Sequence, residues 1–369
     1  MMKIGILTFH YAHNYGAVLQ AYALFTKLTS LGHNVEFINY VIPRIEQVYH
    51  KRTPYQLYKV YNEKQKCVKA LISTILYYKN EKLKISLKWE RFQEFIGELL
   101  PQSKRVESLD QELLDSYDAI ICGSDQIWSK GITKSLIPMY FCQGVGEKVK
   151  KIAYAASAGK GCIDKEDENE FIKLCSNFNH ISVREKALSD YMAELGISNT
   201  WVSDPVFLLN KEEWSRIAVK PDIKDYVLTY SFGEPEFFFE KAKAVAKQMN
   251  KPLVCILFSD NGIKEDCIQV LNAGPKEFIG YFLNASYIVT NSFHGTAFSI
   301  LLNKQFYNIP PKNGAERTNS LLTLLGLKDR IIDTSPMPVS FSHVDYDIVN
   351  RILAGIVSTS NEFINNALK

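Results

Sequence analysis

Apolar and polar positions along this chain alternate in short blocks of two kinds. Runs of four to seven mostly apolar residues read as buried strands, and longer blocks with apolar residues three and four apart read as helices. The first forty residues make one strand-loop-helix-strand unit: KIGILTF, then HYAHNYGA, then VLQAYALFTKLTSLG closed by Gly32 as a C-cap, then NVEFINY. The pattern resumes with YDAIICGSDQIW and KIAYAASAG, two strands with small or polar ends, and ISVREKAL, a strand turning into a helix at Arg184 and Glu185. WVSDPVFLL and LNKEEW follow, with a boundary near residue 210.

A second half restarts with the strand YVLTYSFGE. A helix is expected at about 235–249, then a strand PLVCILF, a helix PKEFIGYFLNA and a strand YIVTNS. QFYNIP, RTNSLLTLLGL and a C-terminal helix from about 345 to 367 complete the chain. The expected organisation is an N-terminal doubly wound α/β domain over 1–210 with a helical insert at about 41–105, and a C-terminal α/β domain over 211–345. The helix of 346–369 packs back toward the first domain.

Doubly wound sheets bind ligands beyond the carboxyl ends of their strands, where loop turns into helix. Five such ends carry small or polar residues: Asn14 to Gly16; Gly123 to Gln126, with Ser124 and Asp125; Ser157 to Gly159; Arg184; and Ser292 to Thr296. Glycine admits a ligand to the backbone and a helix N-terminus offers free N–H groups, so these ends suit phosphate or carboxylate. No GxGxxG or GxxxxGK[ST] pattern is present, which disfavours a dinucleotide fold or a P-loop.

In SFHGTAF, His294 stands where a strand meets a helix, with Gly295 and Thr296 after it. A lone histidine is more often structural, but at a junction of this kind it suits acid-base work or anion binding. The Arg184 guanidinium is matched to carboxylate or phosphate, or to a salt bridge with Glu185. Asp125 is a base, an acid or a cap, Asp204 before its proline fixes a turn, and Arg317 is a second candidate anion ligand.

Charge changes the picture in one place. The net charge of +3 is too small to imply nucleic acid, yet residues 44–105 carry fourteen Lys or Arg against six Asp or Glu, leaving the rest at −5. With Tyr55, Tyr61, Trp89 and other aromatics, this segment reads as a solvated helical insert or as a surface for anionic lipid or a lipid-phosphate substrate. The seven scattered cysteines, without CxxC spacing, read as reduced core residues of a cytoplasmic protein rather than a zinc site. No apolar stretch reaches membrane-spanning length, and MMKIGILTFHY does not read as a signal peptide.

HNYGAVLQAYAL, GSDQIW, SVREKAL, SDPVFLL and TNSFHGTAFSILLNKQF, in this order, resemble the polysaccharide pyruvyl transferases over roughly residues 10–330. The resemblance implies a glycosyltransferase-B-like architecture of two Rossmann-like domains facing a cleft. It also implies transfer of the enolpyruvyl group of phosphoenolpyruvate to a sugar, with no cofactor and no metal. The family's cleft histidine falls on His294 and its domain-one arginine on Arg184. Where some members have Arg-Leu-His, this chain has Ser292-Phe293-His294, and Arg317 or Lys304 is the expected replacement for the missing arginine.

On this reading His294 and Asp125 are catalytic. Arg184, Asn14, Gly16, Ser124, Ser157, Ser292, Gly295, Thr296 and Arg317 bind substrate, with amides of Gly295 and Thr296 as donors. The expected acceptor is a galactose-like hexose, taking a 4,6-ketal, in a lipid-linked capsular or cell-wall repeat unit. The basic insert would then touch the inner face of the plasma membrane. Two rivals share the fold: a nucleotide-sugar glycosyltransferase, for which GEPEFFFE around Glu234 and Glu236 is a weak sign, and a non-catalytic sugar or lipid-phosphate binding protein.

Overall fold

A computed structural model describes residues 1–49, 58, 67–80, 82–231, 236–257, 266–311, 315–332 and 343–369. In the first half β1 (Lys3–Leu7), β2 (Asn34–Phe37), β3 (Ala119–Cys122), β4 (Lys150–Ala156), β5 (His180–Val183) and β6 (Thr200–Trp201) form a parallel sheet of order β2-β1-β3-β4-β5-β6. In the second, β7 (Val227–Tyr230), β8 (Leu253–Ile256), β9 (Ile268–Val270), β10 (Tyr287–Thr290) and β11 (Phe306–Asn308) form a parallel sheet of order β11-β10-β7-β8-β9. Strands β1, β3, β7, β8 and β10 are buried almost throughout, which is why they appear in the sequence as unbroken apolar runs.

Strand order reverses between β1 and β3 in one sheet and between β7 and β10 in the other. Those are the switch points at which such folds open a crevice. The loops leaving them hold Asn14 to Gly16, Gly123 to Gln126 and Ser292 to Gly295.

One hydrophobic cluster joins the halves, with Val18 and Leu19 of the helix Tyr15–Ser30 and Val206 to Leu209 meeting Tyr226, Phe278 and Phe298. Tyr15 crosses the junction: its ring stacks on Phe278 at 4.5 Å and its hydroxyl donates to the Ala273 carbonyl at 2.7 Å. The C-terminal helix Tyr346–Ala367 starts beside the second sheet, where Tyr346 donates to the Ser299 carbonyl at 3.2 Å. Further along, its Ser360 hydroxyl accepts the Ser203 amide at 2.9 Å.

The insert contains the helices Cys67–Asn80 and Lys82–Leu99. The second of these is no mere solvated appendage. Phe92 and Phe95 are fully buried, and Arg91 pairs with Glu277 at 3.3 Å and donates to the Asn272 carbonyl at 2.8 Å. Lys88 donates to the Leu257 carbonyl at 3.3 Å, and burial pushes its amine down to about 7. Tyr55 and Tyr61 lie outside the described residues. Cys122, Cys142, Cys175 and Cys255 are buried as expected, but Cys162 is exposed on a loop and is not a core residue.

Candidate active site

The helix Phe293–Leu301 begins directly after β10, and Ser292 caps it by accepting the Gly295 amide at 3.3 Å. The Thr296 amide is taken by the Ser292 carbonyl at 2.9 Å, and its hydroxyl bonds the same carbonyl at 3.0 Å. This corrects the expectation that Gly295 and Thr296 supply N–H donors. The cap sits at Ser292, so the first amides without an intrahelical partner are those of Phe293 and His294. Gly295 serves close packing instead. A Cβ there would stand 2.3 Å from Thr290 Oγ1, so only glycine lets the helix lie against β10.

His294 projects across the junction toward the first half. Its Nε2 lies 3.6 Å from Asp204 Oδ2, an ion-pair distance too long for a hydrogen bond. Gly16 forms the floor beneath the ring, where a Cβ would fall 2.1 Å from His294 Nδ1. Asn14 holds that floor in place, its Oδ1 accepting the amides of Gly16 at 3.0 Å and Ala17 at 3.4 Å. Asn14 and Gly16 thus form a helix cap and a packing surface beside the histidine.

Asp204 is the hub of the site. It does fix its turn, Oδ1 accepting the Val206 amide at 3.0 Å, and Oδ2 also receives Arg184 Nη1 at 2.8 Å. Burial opposes its ionisation, but His294 and Arg184 outweigh that and hold the carboxyl at about 2. Arg184 Nε reaches Glu185 Oε1 at 3.1 Å, and the same oxygen accepts the Ser157 hydroxyl at 2.6 Å. The salt bridge to Glu185 therefore exists, and a second carboxylate joins it. Two edges of the guanidinium are engaged, leaving Arg184 Nη2, Glu185 Oε2 and His294 Nε2 buried without hydrogen-bond partners.

The Phe293 ring centre lies near two arginines, 5.2 Å from the Arg184 guanidinium carbon and 5.6 Å from that of Arg317. Arg317 belongs to the helix Glu316–Leu324, its Nε is likewise buried without a partner, and burial together with Arg184 lowers its pKa from the ordinary value. Asp125 stands close enough for both guanidinium groups to feel its charge, while its Oδ1 accepts the Gln126 amide at 2.7 Å. A cavity of about 50 Å³ lies among Arg184, Asp204, Phe293 and Arg317, room for one or two water molecules. A larger cavity of about 240 Å³, lined by Gln126, Trp128, Lys160 and Asp164, adjoins it across the 159–163 loop.

Other expected residues lie apart from this cluster. Ser124 is buried, its amide donating to Gln20 Oε1 at 3.2 Å. Lys304 donates to the Ala285 carbonyl at 3.0 Å. Both residues precede strands, so Lys304 sits at the opposite edge of the sheet from His294 and cannot replace the missing arginine. His10 is buried with Nδ1 at 3.2 Å from the Thr8 carbonyl, and burial pushes it down to about 4. His13 stacks on Phe92 at 5.1 Å and meets Gln93 at 2.7 Å, facing the insert. Glu234 lies outside the described residues.

Sequence reasoning missed Asp204, Glu185 and Phe293 as site residues. The available signal was their position, since Asp204 and Glu185 lie within three residues of the ends of β6 and β5 and Phe293 adjoins the histidine.

Two parallel α/β halves with arginine, histidine and carboxylate groups collected at their junction define a two-domain enzyme of Rossmann-like halves. The chain belongs to the polysaccharide pyruvyl transferase family, whose profile matches residues 14–313. No curated protein matches it. Among solved structures it is similar to the UDP-GlcNAc 2-epimerase of Methanocaldococcus jannaschii, at 10% identity over 96% of this chain and 93% of that one, with a TM-score of 0.48. It is also similar to the UDP-N-acetylglucosamine 2-epimerase of Rickettsia bellii (10% identity, 99% and 98% coverage, TM-score 0.47). A Streptomyces sp. SF2575 glycosyltransferase gives 11% identity, 100% and 96% coverage and a TM-score of 0.37.

Proposed function

We infer that the enzyme moves the enolpyruvyl group of phosphoenolpyruvate onto two hydroxyls of a hexose, a 4,6-ketal on a galactose-like unit of a lipid-linked polysaccharide repeat. The observation that carries this is the pair Arg184 and Arg317, both close to the Phe293 ring next to His294, with buried donors left unpartnered. Buried unpaired donors are unfavourable unless something else takes them up, and a donor substrate with a phosphate and a carboxylate would do so.

In this reading His294 delivers a proton to the methylene carbon, leaving oxocarbenium character at C2. One hydroxyl adds to C2, and the second then displaces phosphate from it. Two hydroxyl protons are lost in all: one replaces the proton given to the methylene, and the other leaves with phosphate. Asp125 takes the proton of the attacking hydroxyl, and the acceptor sugar occupies the 240 Å³ cavity beside it. Arg184 and Arg317 hold the donor's anionic groups, with the Phe293 and His294 amides adding N–H donors. The 50 Å³ space is smaller than the donor, so side chains around it shift when the donor binds.

The test is phosphate release from phosphoenolpyruvate with a lipid-linked hexose acceptor. His294→Ala should still fold but lose at least about 100-fold in kcat, with a lower melting temperature because Asp204 loses a charge partner. Near-normal turnover in that variant would remove the histidine's role.

A further inference from the structure

The helix Cys67–Asn80 leaves four large apolar side chains in solvent: Val68 at 70% exposure, Leu71 at 53%, Ile72 at 51% and Ile75 at 54%. Their spacing of three, four and seven residues puts them on one face, while Thr74 is buried on another. The other exposed large apolar residues, such as Leu31, Leu109 and Val219, are scattered along the chain, as on any protein surface. An apolar stripe of this kind marks an interaction surface.

We propose that this face is an interfacial anchor that inserts into the headgroup boundary of an anionic lipid bilayer. Charge selects the occupant. The segment 44–105 carries an excess of eight positive charges, and Lys69 is exposed on the same helix, at the flank of the stripe. An amphipathic helix of basic surroundings binds an anionic surface by apolar burial and electrostatic attraction together. A second copy would bring an equal positive charge against it and be repelled.

The placement is suited to a lipid-carried substrate. The anchor helix packs on the helix Lys82–Leu99. That helix touches the Leu257 carbonyl just past β8, the Asn272 carbonyl just past β9, and His13 just past β1. All three points lie at the carboxyl edges of the strands, the edge that also carries His294. Docking would therefore hold the cleft side of the molecule toward the membrane. The proposal deepens the lipid-linked acceptor reading, but its test needs neither donor nor acceptor.

The experiment is co-sedimentation with vesicles of equal parts phosphatidylglycerol and phosphatidylcholine, against phosphatidylcholine alone, at low and high salt. Expected are binding to the anionic vesicles, weakening with salt, and at least about a tenfold loss in Leu71→Asp/Ile72→Asp with an unchanged melting temperature. Lys69→Glu should weaken binding in low salt only. Absence of binding at low salt, or binding unaltered in the double variant, would overturn the proposal. So would a wild-type mass by light scattering that is dimeric and becomes monomeric in the double variant, since a second copy would then own the face.

Discussion

Replacing Gly16 by alanine adds one methyl group at a crowded point of the domain junction. The new Cβ would lie 2.1 Å from His294 Nδ1, 2.4 Å from Cε1 and 2.7 Å from Cγ, so the whole ring is obstructed rather than one flexible end. An ordinary contact needs about 3.5 Å, so the imidazole and the Gly16 backbone must separate by roughly 1.4 Å. Overpacking of this kind costs about 1–3 kcal/mol, and alanine's better helix propensity offsets about 0.5–1 kcal/mol of that. The net loss is about 0–2.5 kcal/mol, a fall of up to several degrees in melting temperature, on the order of 2–4 °C per kcal/mol. The catalytic effect is larger, because displacement of a reacting group by about 1 Å costs on the order of 100-fold in turnover. The assays are thermal unfolding and phosphate release for Gly16→Ala, His294→Ala and the double variant. If the clash is with the imidazole, Gly16→Ala is destabilising alone and neutral or stabilising once His294 is alanine. A Gly16→Ala enzyme with wild-type turnover and stability would refute the close packing of the two groups.

Arg184→Lys removes the fork that spans Asp204 and Glu185; with one amine in place of a fixed guanidinium, the variant should melt lower by several degrees and lose phosphoenolpyruvate binding, checked by calorimetry. The Asp204 carboxyl, held at about 2 when folded against about 3.9 in the unfolded chain, contributes stability that is present above pH 4 and lost as pH falls through 2. Asp204→Asn should therefore be destabilised at pH 7 by about 2 kcal/mol, with the deficit shrinking in acid, as urea titrations across pH 2–7 would read. Ser292→Ala deletes the cap of the His294 helix and should cost about 1 kcal/mol of stability by chemical denaturation.

Much of the fold was legible because buried parallel strands are continuous apolar runs, and eight of the eleven strands among the described residues lie in blocks read as strands from the sequence. The exceptions are short: β6, two residues long, β9, three residues long with its first residue exposed, and β11, three residues long within QFYNIP, each too brief a pattern to detect. His294, Arg184, Arg317, Asp125 and Gly16 could be picked out from their junctions. The Asp204–Arg184 pair could not, because the two are 20 residues apart in sequence and meet only once β5 and β6 lie side by side. The amide donors were misplaced by two residues because the cap is Ser292, and cap geometry cannot be fixed by apolar periodicity. Gly16 drew notice as a ligand approach, but its close partner proved to be a side chain of the other half.

The donor is tested most directly by the melting temperature of the pure protein with phosphoenolpyruvate against a panel of UDP-, GDP- and CMP-sugars. A ligand that binds only the folded state raises that temperature. The expected result is a rise with phosphoenolpyruvate alone that is lost in Arg184→Lys. A rise with a nucleotide sugar and none with phosphoenolpyruvate would contradict it and assign the cleft to glycosyl transfer.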